Sequence, residues 1–150
     1  MIRIAVVGDI GSGKSHVARQ FGYPVFNADL EVSKLYKKNR KCYAKLKRVL
    51  PSHINSFPIK KNKLSNAIVS NKNNLKKIVK IIHPEIRKKM NIFIKKNKNK
   101  KVIVLDIPLF LENKINRKND IIIFIDAKKK QIEKRLNKRK NFNPQIVKKL

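Results

Sequence analysis

The chain has 150 residues, of which 41% are hydrophobic and 32% charged, and this composition excludes a disordered tail and a membrane protein. Its longest apolar run, residues 121–125, is far shorter than the roughly 20 residues that cross a bilayer. Residues 1–7 lack the apolar core and the cleavage site of a signal peptide. One cysteine, Cys42, excludes an intramolecular disulfide and fits a reducing compartment. We therefore expect one domain in the cytoplasm, without a membrane partner.

The net charge of +30 would attract any polyanion. However, the sequence is dominated by lysine, isoleucine and asparagine, which A/T-rich codons favour, and lysines occur on every segment. The aromatic residues are scattered, whereas proteins that bind single strands interleave aromatic and basic side chains. We interpret the charge as compositional drift and predict no dedicated nucleic-acid site.

Four apolar runs alternate with helical patterns, which predicts an α/β fold with a parallel sheet. The predicted strands are residues 2–7, 24–27, 102–105 and 121–125. The predicted helices are residues 14–21, 30–38, 42–50, 64–69, 75–94 and 128 to about 139. Pro84 is expected to kink or break its helix. Asp126 is expected to cap the helix after the fourth strand, and Asn143 to cap a last helix that begins at Pro144.

Three of the four glycines fall within residues 8–15, which satisfy the pattern G-x-x-x-x-G-K-[ST] between a predicted strand and a predicted helix. Glycines allow backbone N–H groups to approach phosphate oxygens, and the start of the helix adds a partial positive charge. Lys14 is expected to neutralise the β- and γ-phosphates of a nucleotide, and the Ser15 hydroxyl to bind Mg²⁺. The alternative is a chance match, and the strand–loop–helix context argues against it.

Two carboxylates follow predicted strands, at the end of an open α/β sheet where ligands bind. Asp29 can be a general base that takes a proton from an attacking hydroxyl, or the N-cap of the helix that follows. Asp106 can be the acidic group that holds Mg²⁺ in P-loop enzymes, or a turn residue at the end of a strand. We favour the magnesium role for Asp106, whereas position alone leaves both interpretations of Asp29 open.

Gln131, Arg135 and Arg139 are spaced four residues apart and so share one face of a predicted helix. Arginine is scarce in this lysine-rich chain, so its retention favours phosphate binding by the planar guanidinium, with a solvated helix face as the alternative. Residues 83–87 combine a histidine, a proline and an arginine. From the residues alone, His83 fits a buried capping histidine as well as a substrate contact.

Together these segments resemble the dephospho-coenzyme A kinase family, which catalyses the last step of coenzyme A synthesis. Residues 8–15 resemble its G-G-I-G-S-G-K-S, residues 27–29 its D-A-D, residues 81–87 its I-I-H-P-x-V-R, and residues 105–112 its L-D-x-P-L-L-F-E. The departures are Asp9 for a glycine, Asn27 for the first aspartate of D-A-D, and His16 for a threonine. We expect Asp9 to weaken nucleotide binding unless its carboxylate points away from the phosphates.

The resemblance implies a three-layer P-loop NTPase fold of the nucleotide kinase type, with strand order 2-3-1-4-5. Residues 1–150 would form one kinase domain, with a helical coenzyme-A-binding insert over about residues 30–97 and a lid region over about 128–150. The implied activity is phosphorylation of the ribose 3′-hydroxyl of dephospho-CoA by ATP with Mg²⁺, in a monomer. The alternatives are a P-loop kinase with a nucleoside or nucleotide acceptor, and a basic nucleic-acid-binding protein that uses a nucleotide as a switch.

The resemblance also assigns site residues. Asp29 would deprotonate the 3′-hydroxyl, and Lys14 with the lid arginines Arg135 and Arg139 would complete the catalytic set. The residues expected to bind ATP are Gly8, Gly11, Ser12, Gly13, Lys14, Ser15 and His16. His83 and Arg87 would line the dephospho-CoA site with Asp29, and Ser15 and Asp106 would hold Mg²⁺.

The sequence stops at Leu150 within a helical pattern, whereas members of the resembled family continue through a fifth strand and a closing helix. We therefore expect a C-terminally truncated chain that lacks this strand and helix. Its strand at residues 121–125 would be an exposed apolar edge that favours association. Such a chain is expected to bind ATP weakly and to turn over slowly.

Overall fold

A computed structural model describes residues 1–108, 110 and 115–138 of the chain, and it confirms the predicted α/β fold. Its strands are β1 (Ile2–Gly8), β2 (Val25–Asn27), β3 (Val102–Asp106) and β4 (Ile121–Ile125). They form one sheet in the order β2-β3-β1-β4, with every neighbouring pair parallel. This agrees with the first four positions of the expected strand order.

Each predicted helix within the described residues is present, with ends that differ from the predicted ones by up to three residues. They are α1 (Lys14–Gln20), α2 (Ala28–Lys38), α3 (Arg40–Val49), α4 (Lys61–Ser70), α5 (Lys72–Lys96) and α6 (Lys129–Asn137). The predicted helix that starts at Pro144 lies outside the described residues.

Two predictions about helix boundaries need correction. Of the kink or break predicted at Pro84, the break does not occur, because α5 continues through this residue. Buried side chains flank Pro84 on both sides, Ile82 before it and Met90 after it, and their packing offsets the lost backbone hydrogen bond. Asp126 does not cap α6, since Lys128 occupies the N-cap position without a side-chain hydrogen bond. Asp126 is two residues too early for its carboxylate to serve as that cap.

The chain divides into two compact units. The first unit contains residues 1–29 and 89–140. Its described elements include all four strands together with α1 and α6. Its core includes Ile4 and Val6 of β1, Val104 of β3 and Ala18 of α1. β-Branched residues on the central strands therefore bury the sheet face that α1 covers.

The second unit contains residues 30–88 and is helical. Its helices pack around a shared apolar core that includes Leu35, Leu46, Ile54, Ala67 and Ile82. Cys42 is buried in the same core, and burial raises the pKa of its thiol to about 11. The thiol is therefore uncharged near neutral pH and behaves as a small apolar side chain.

β4 lies at one edge of the sheet, and within the described residues it pairs with β1 alone. Ile123 and Ile125 pack against the core that contains α1. Ile122 and Phe124 lie on the opposite face, as strand alternation requires, and Phe124 is 63% exposed.

A buried ion pair joins the amino ends of β1 and β4. The guanidinium of Arg3 donates to the Asp120 carboxylate at 3.0 Å, and both side chains are almost completely buried. The Asp120 carboxylate also accepts a hydrogen bond from the backbone N–H of Arg117. These contacts fix the loop before β4 against the sheet, at the end opposite to the glycine-rich loop.

Gly8 provides a test of how tightly β1 and β4 are held together. A Cβ at this position would lie 2.5 Å from the carbonyl oxygen of Ile125, on a backbone whose φ is 139°. We expect Gly8→Ala to lower the free energy of unfolding by about 2 kcal/mol or more. The control is Gly22→Ala, where φ is 69° but the added Cβ meets nothing within 4 Å. Denaturant unfolding should show a clearly larger loss for Gly8→Ala, and equal losses would contradict the contact with Ile125.

Candidate active site

The glycine-rich loop connects β1 to α1 and forms a closed turn of backbone hydrogen bonds. The N–H of Ser12 donates to the carbonyl of Asp9, and the N–H of His16 donates to the carbonyl of Gly13. Gly13, with a φ of 104°, occupies the N-cap position of α1. The Ser12 hydroxyl is buried and has no hydrogen-bond partner within the described part of the chain. The loop therefore has the closed form expected of a phosphate-binding loop.

Lys14 lies across the loop that precedes it. Its Nζ donates to the carbonyl oxygens of Gly8 at 2.8 Å and Asp9 at 2.6 Å. Two neutral carbonyls hold the ammonium group at the mouth of the loop. A phosphate oxygen is a stronger acceptor because its hydrogen bond is charge-assisted, so an anion in the loop would compete for this group.

The ends of β2 and β3 bring three polar side chains together. Asn27 and Asp106 are register partners in the parallel pair β2–β3. The amide nitrogen of Asn27 donates to Asp106 Oδ2 at 2.5 Å and to Ser15 Oγ at 3.3 Å. The Asp106 side chain is buried, so its carboxylate is held at the base of the site.

This arrangement fits a magnesium ion. The Ser15 hydroxyl and the Asp106 carboxylate are hard oxygen donors, and both contact the same amide group of Asn27. No group of three or more His, Cys, Asp or Glu side chains suited to a metal occurs among the residues that the structure describes. Mg²⁺ needs no such group, because it is usually held by one or two protein ligands together with substrate phosphates and water.

A pocket of about 250 Å³ opens above the loop and joins it to the ends of β2 and β3. The described residues that line it are Ile10, Gly11, Gly13, Lys14, Ser15, His16, Asp29, Asp106 and Pro108. Asp29 is exposed and is the second residue of α2, which begins at Ala28. The interpretation of Asp29 as the N-cap of that helix is therefore wrong, because a cap precedes the first helical residue.

The residues that line the pocket can be compared with the sequence predictions at three further positions, Asp9, Ile10 and Pro108. Asp9 is exposed and is not among the described residues that line the pocket. Ile10 and Pro108 line the pocket but were not predicted as site residues. Pro108 lies two residues after Asp106, at a strand end, and it is the proline of the segment 105–112 that resembles the family motif L-D-x-P-L-L-F-E.

α6 packs against the glycine-rich loop. The Arg135 guanidinium donates to the carbonyl of Ser12 at 2.7 Å and more weakly to that of Gly11 at 3.4 Å. A Cβ on Gly11 would lie 3.0 Å from the Leu136 side chain and 3.2 Å from Ile132. A side chain at position 11 would therefore require Leu136 and Ile132 to shift, on a backbone whose φ of 89° already favours glycine. Gln131 is exposed on α6, and Arg139 lies outside the described residues.

His83 and Arg87 lie one helical turn apart on α5, in the unit of residues 30–88. Burial, and then the charge of Arg87, lowers the pKa of His83 below its usual value of 6.5. The imidazole is therefore mostly neutral at pH 7. The pocket residues belong to the other unit.

No helix in the described ranges is both long enough and apolar enough to span a bilayer.

Comparison with known proteins assigns the chain to a family. A sequence model of dephospho-CoA kinase matches residues 2–150. The dephospho-CoA kinase of Wolbachia from Brugia malayi is 34% identical over 141 residues, which cover 91% of this chain and 72% of that protein. The dephospho-CoA kinase of Bacillus anthracis is 30% identical over 149 residues, covering 93% of this chain and 74% of that protein.

Two solved structures share the fold. The crystal structure of TT1252 from Thermus thermophilus has a TM-score of 0.72 and 26% identity, covering 97% of this chain and 76% of that chain. The dephospho-CoA kinase from Campylobacter jejuni has a TM-score of 0.56 and 19% identity, covering 89% and 92%. Since the family match extends over nearly the whole sequence and agrees with the parallel sheet and its glycine-rich loop, the chain belongs to the dephospho-CoA kinase family.

Proposed function

We propose that this chain transfers the γ-phosphoryl group of ATP to the ribose 3′-hydroxyl of dephospho-CoA, which gives coenzyme A and ADP. The family supplies the identities of the nucleotide and the acceptor. The observation that carries the proposal for the site is the pocket in which Lys14, Ser15, Asp29 and Asp106 meet. It lies at the carboxyl ends of the parallel strands, where α/β proteins bind nucleotides.

Gly8, Gly11, Ser12, Gly13 and the first residues of α1, including His16, are proposed to surround the ATP phosphates. Backbone N–H groups of the loop would donate to phosphate oxygens. Lys14 would leave the carbonyls of Gly8 and Asp9 and donate to the β- and γ-phosphates instead. Its charge would then offset the charge that develops on the leaving oxygen of ADP.

The Ser15 hydroxyl and the buried Asp106 carboxylate are proposed to hold Mg²⁺. The bound ion would supply positive charge that neutralises the phosphates of the nucleotide. The support for this role is the chemistry of the two oxygen donors and their shared contact with Asn27.

Asp29 is proposed as the general base. Its exposed carboxylate at the rim of the pocket would accept the proton of the 3′-hydroxyl as the 3′-oxygen attacks the γ-phosphorus. The bond from the γ-phosphorus to the bridging oxygen breaks, and that oxygen leaves with ADP. The proton on Asp29 then passes to solvent.

Arg135 and Arg139 are proposed as lid arginines beside the phosphates. The hydrogen bonds of Arg135 to the carbonyls of Gly11 and Ser12 support this role, because they attach its guanidinium to the loop that would bind those phosphates. Positive charge at that point would favour the anionic transition state of phosphoryl transfer.

The segment of about residues 30–97 is proposed as the coenzyme-A-binding insert within a single kinase domain. His83 and Arg87 are its proposed substrate contacts. An exposed guanidinium one turn from a neutral imidazole offers a charged donor and an uncharged partner to a phosphorylated substrate.

A direct test is to incubate the chain with ATP, Mg²⁺ and a panel of acceptors that contains dephospho-CoA, nucleosides and nucleoside monophosphates. ADP release and 3′-phosphorylated product are expected with dephospho-CoA and not with the other acceptors. Lys14→Ala should abolish the transfer, whereas Lys98→Ala, in an exposed turn, should leave it unchanged. Faster transfer to a nucleoside or nucleotide than to dephospho-CoA would contradict the proposed acceptor.

Replacement of Asp29 separates chemistry from ATP binding. Asp29→Asn keeps the size of the side chain but removes the proton acceptor, so kcat should fall roughly 10²- to 10⁴-fold. The affinity for ATP should change little. Asp126→Asn is the matched control, because Asp126 is also exposed and also follows a strand. Normal turnover in Asp29→Asn would exclude Asp29 as the base.

Replacement of Arg135 tests the contact between α6 and the loop. Arg135→Lys keeps the positive charge but loses the planar guanidinium, so we expect the KM for ATP to rise roughly tenfold, as for loss of one charged hydrogen bond. Amide hydrogen exchange in residues 11–15 should also accelerate without nucleotide. Lys134→Arg, at the adjacent exposed position, is the control. An unchanged exchange rate in Arg135→Lys would show that the guanidinium does not support the loop.

A further inference from the structure

Asn27 connects the two groups proposed to hold magnesium. Its side-chain nitrogen lies 2.5 Å from Asp106 Oδ2 and 3.3 Å from Ser15 Oγ. The nitrogen of the amide, rather than its oxygen, faces Asp106, and it donates to a carboxylate oxygen that accepts. An amide NH₂ group has two hydrogens, and one is available for each of these contacts.

The backbone fixes this connection. Asn27 is the last residue of β2, and its register partner across the parallel pair is Asp106, the last residue of β3. Ser15 is the second residue of α1, directly after the glycine-rich loop. The three side chains therefore belong to three elements that meet at one end of the sheet.

An aspartate at position 27, as in the D-A-D motif that residues 27–29 resemble, would change the chemistry of this cluster. It would have no N–H to donate to Asp106 or Ser15. Its oxygen would face the Asp106 carboxylate at hydrogen-bond distance, where two negative charges repel strongly unless a cation lies between them. Asparagine removes one negative charge and replaces the repulsion with a hydrogen bond.

We propose that Asn27 is a positioning residue that holds Ser15 and Asp106 in place when no metal is bound. Because the amide adds no charge, Asp106 supplies the single carboxylate among the three side chains of this cluster, Asn27, Ser15 and Asp106. Such a site binds Mg²⁺ together with the phosphates of a nucleotide and has little affinity for the free ion. The inference rests on the proposed function for the assignment of Ser15 and Asp106 to magnesium.

The test compares thermal unfolding of the 150-residue chain with that of Asn27→Asp and Asn27→Ala at one fixed pH near neutrality. Each protein is melted without nucleotide, in EDTA and in a series of Mg²⁺ concentrations up to the millimolar range. Asn39→Asp is the charge-matched control, because Asn39 caps α3 through its side-chain oxygen and aspartate preserves that acceptor.

For the parent and for Asn39→Asp, addition of Mg²⁺ alone is expected to change the melting temperature by no more than about one degree. Asn27→Asp should melt several degrees lower in EDTA and recover most of that loss as Mg²⁺ is added. Asn27→Ala should also melt lower in EDTA, because the donor is lost, but Mg²⁺ should not restore it. If Asn27→Asp is unfolded in EDTA, folding on addition of Mg²⁺ supports the inference, and a chain that stays unfolded with Mg²⁺ overturns it.

A second measurement uses a fluorescent ATP analogue as the probe. In EDTA, Asn27→Asp should bind it at least about tenfold more weakly than the parent, and with Mg²⁺ the two affinities should converge. Equal responses of Asn27→Asp and Asn27→Ala to Mg²⁺ would overturn the inference. So would stabilisation of the parent by Mg²⁺ alone to the extent expected of Asn27→Asp.

The two proposals fail in different ways. A parent chain that phosphorylates dephospho-CoA while Asn27→Asp and Asn27→Ala respond alike to Mg²⁺ overturns the role of Asn27 alone. A parent chain that transfers no phosphoryl group to dephospho-CoA overturns the proposed function, whatever the melting temperatures show.

Discussion

Parallel pairing of β1, β2 and β3 is the constraint on which the candidate site depends. Parallel strands end on the same side of a sheet, so the strand register itself brings Asn27 and Asp106 close to the glycine-rich loop after Gly8. The energy that holds this arrangement comes from buried apolar side chains such as Val6 and Val104, at a distance from the polar groups. The geometry of the candidate site therefore depends on an apolar core whose side chains take no part in the proposed chemistry.

Much of this site could be predicted from the sequence because its signals are local. The spacing of Gly8, Gly13 and Lys14 specifies the loop, and the apolar run before Asp106 specifies a strand end. The strand bounds differ from the predicted ones by only one residue at a strand end, since β-branched runs between turn residues are distinctive. Local patterns of this kind need no knowledge of the partner strand.

Other features depend on contacts between distant residues, and the sequence did not reveal them. Asn27 was recognised as a departure from a motif, but its hydrogen bonds to Ser15 and Asp106 follow from the register of β2 and β3. The contact of Arg135 with the loop carbonyls requires the position of α6. α5 is not broken at Pro84, because burial of the residues around this proline outweighs its local tendency to end a helix. In each case tertiary structure decided between local alternatives.

The close approach of Gly8 to Ile125 also couples the loop to the edge of the sheet. Gly8 and Ile125 are the last register pair of the β1–β4 ladder. Gly8 is also the first residue of the loop proposed to bind phosphate. Fraying of an edge strand begins at its ends, and opening of this end would release the loop at the same time. A ligand that binds only the closed loop must by mass action also suppress that fraying. Nucleotide binding and the local stability of β4 are thus linked. Binding to the closed loop lowers the fraction of molecules in which β4 frays, and a more stable β4 raises the affinity for the nucleotide.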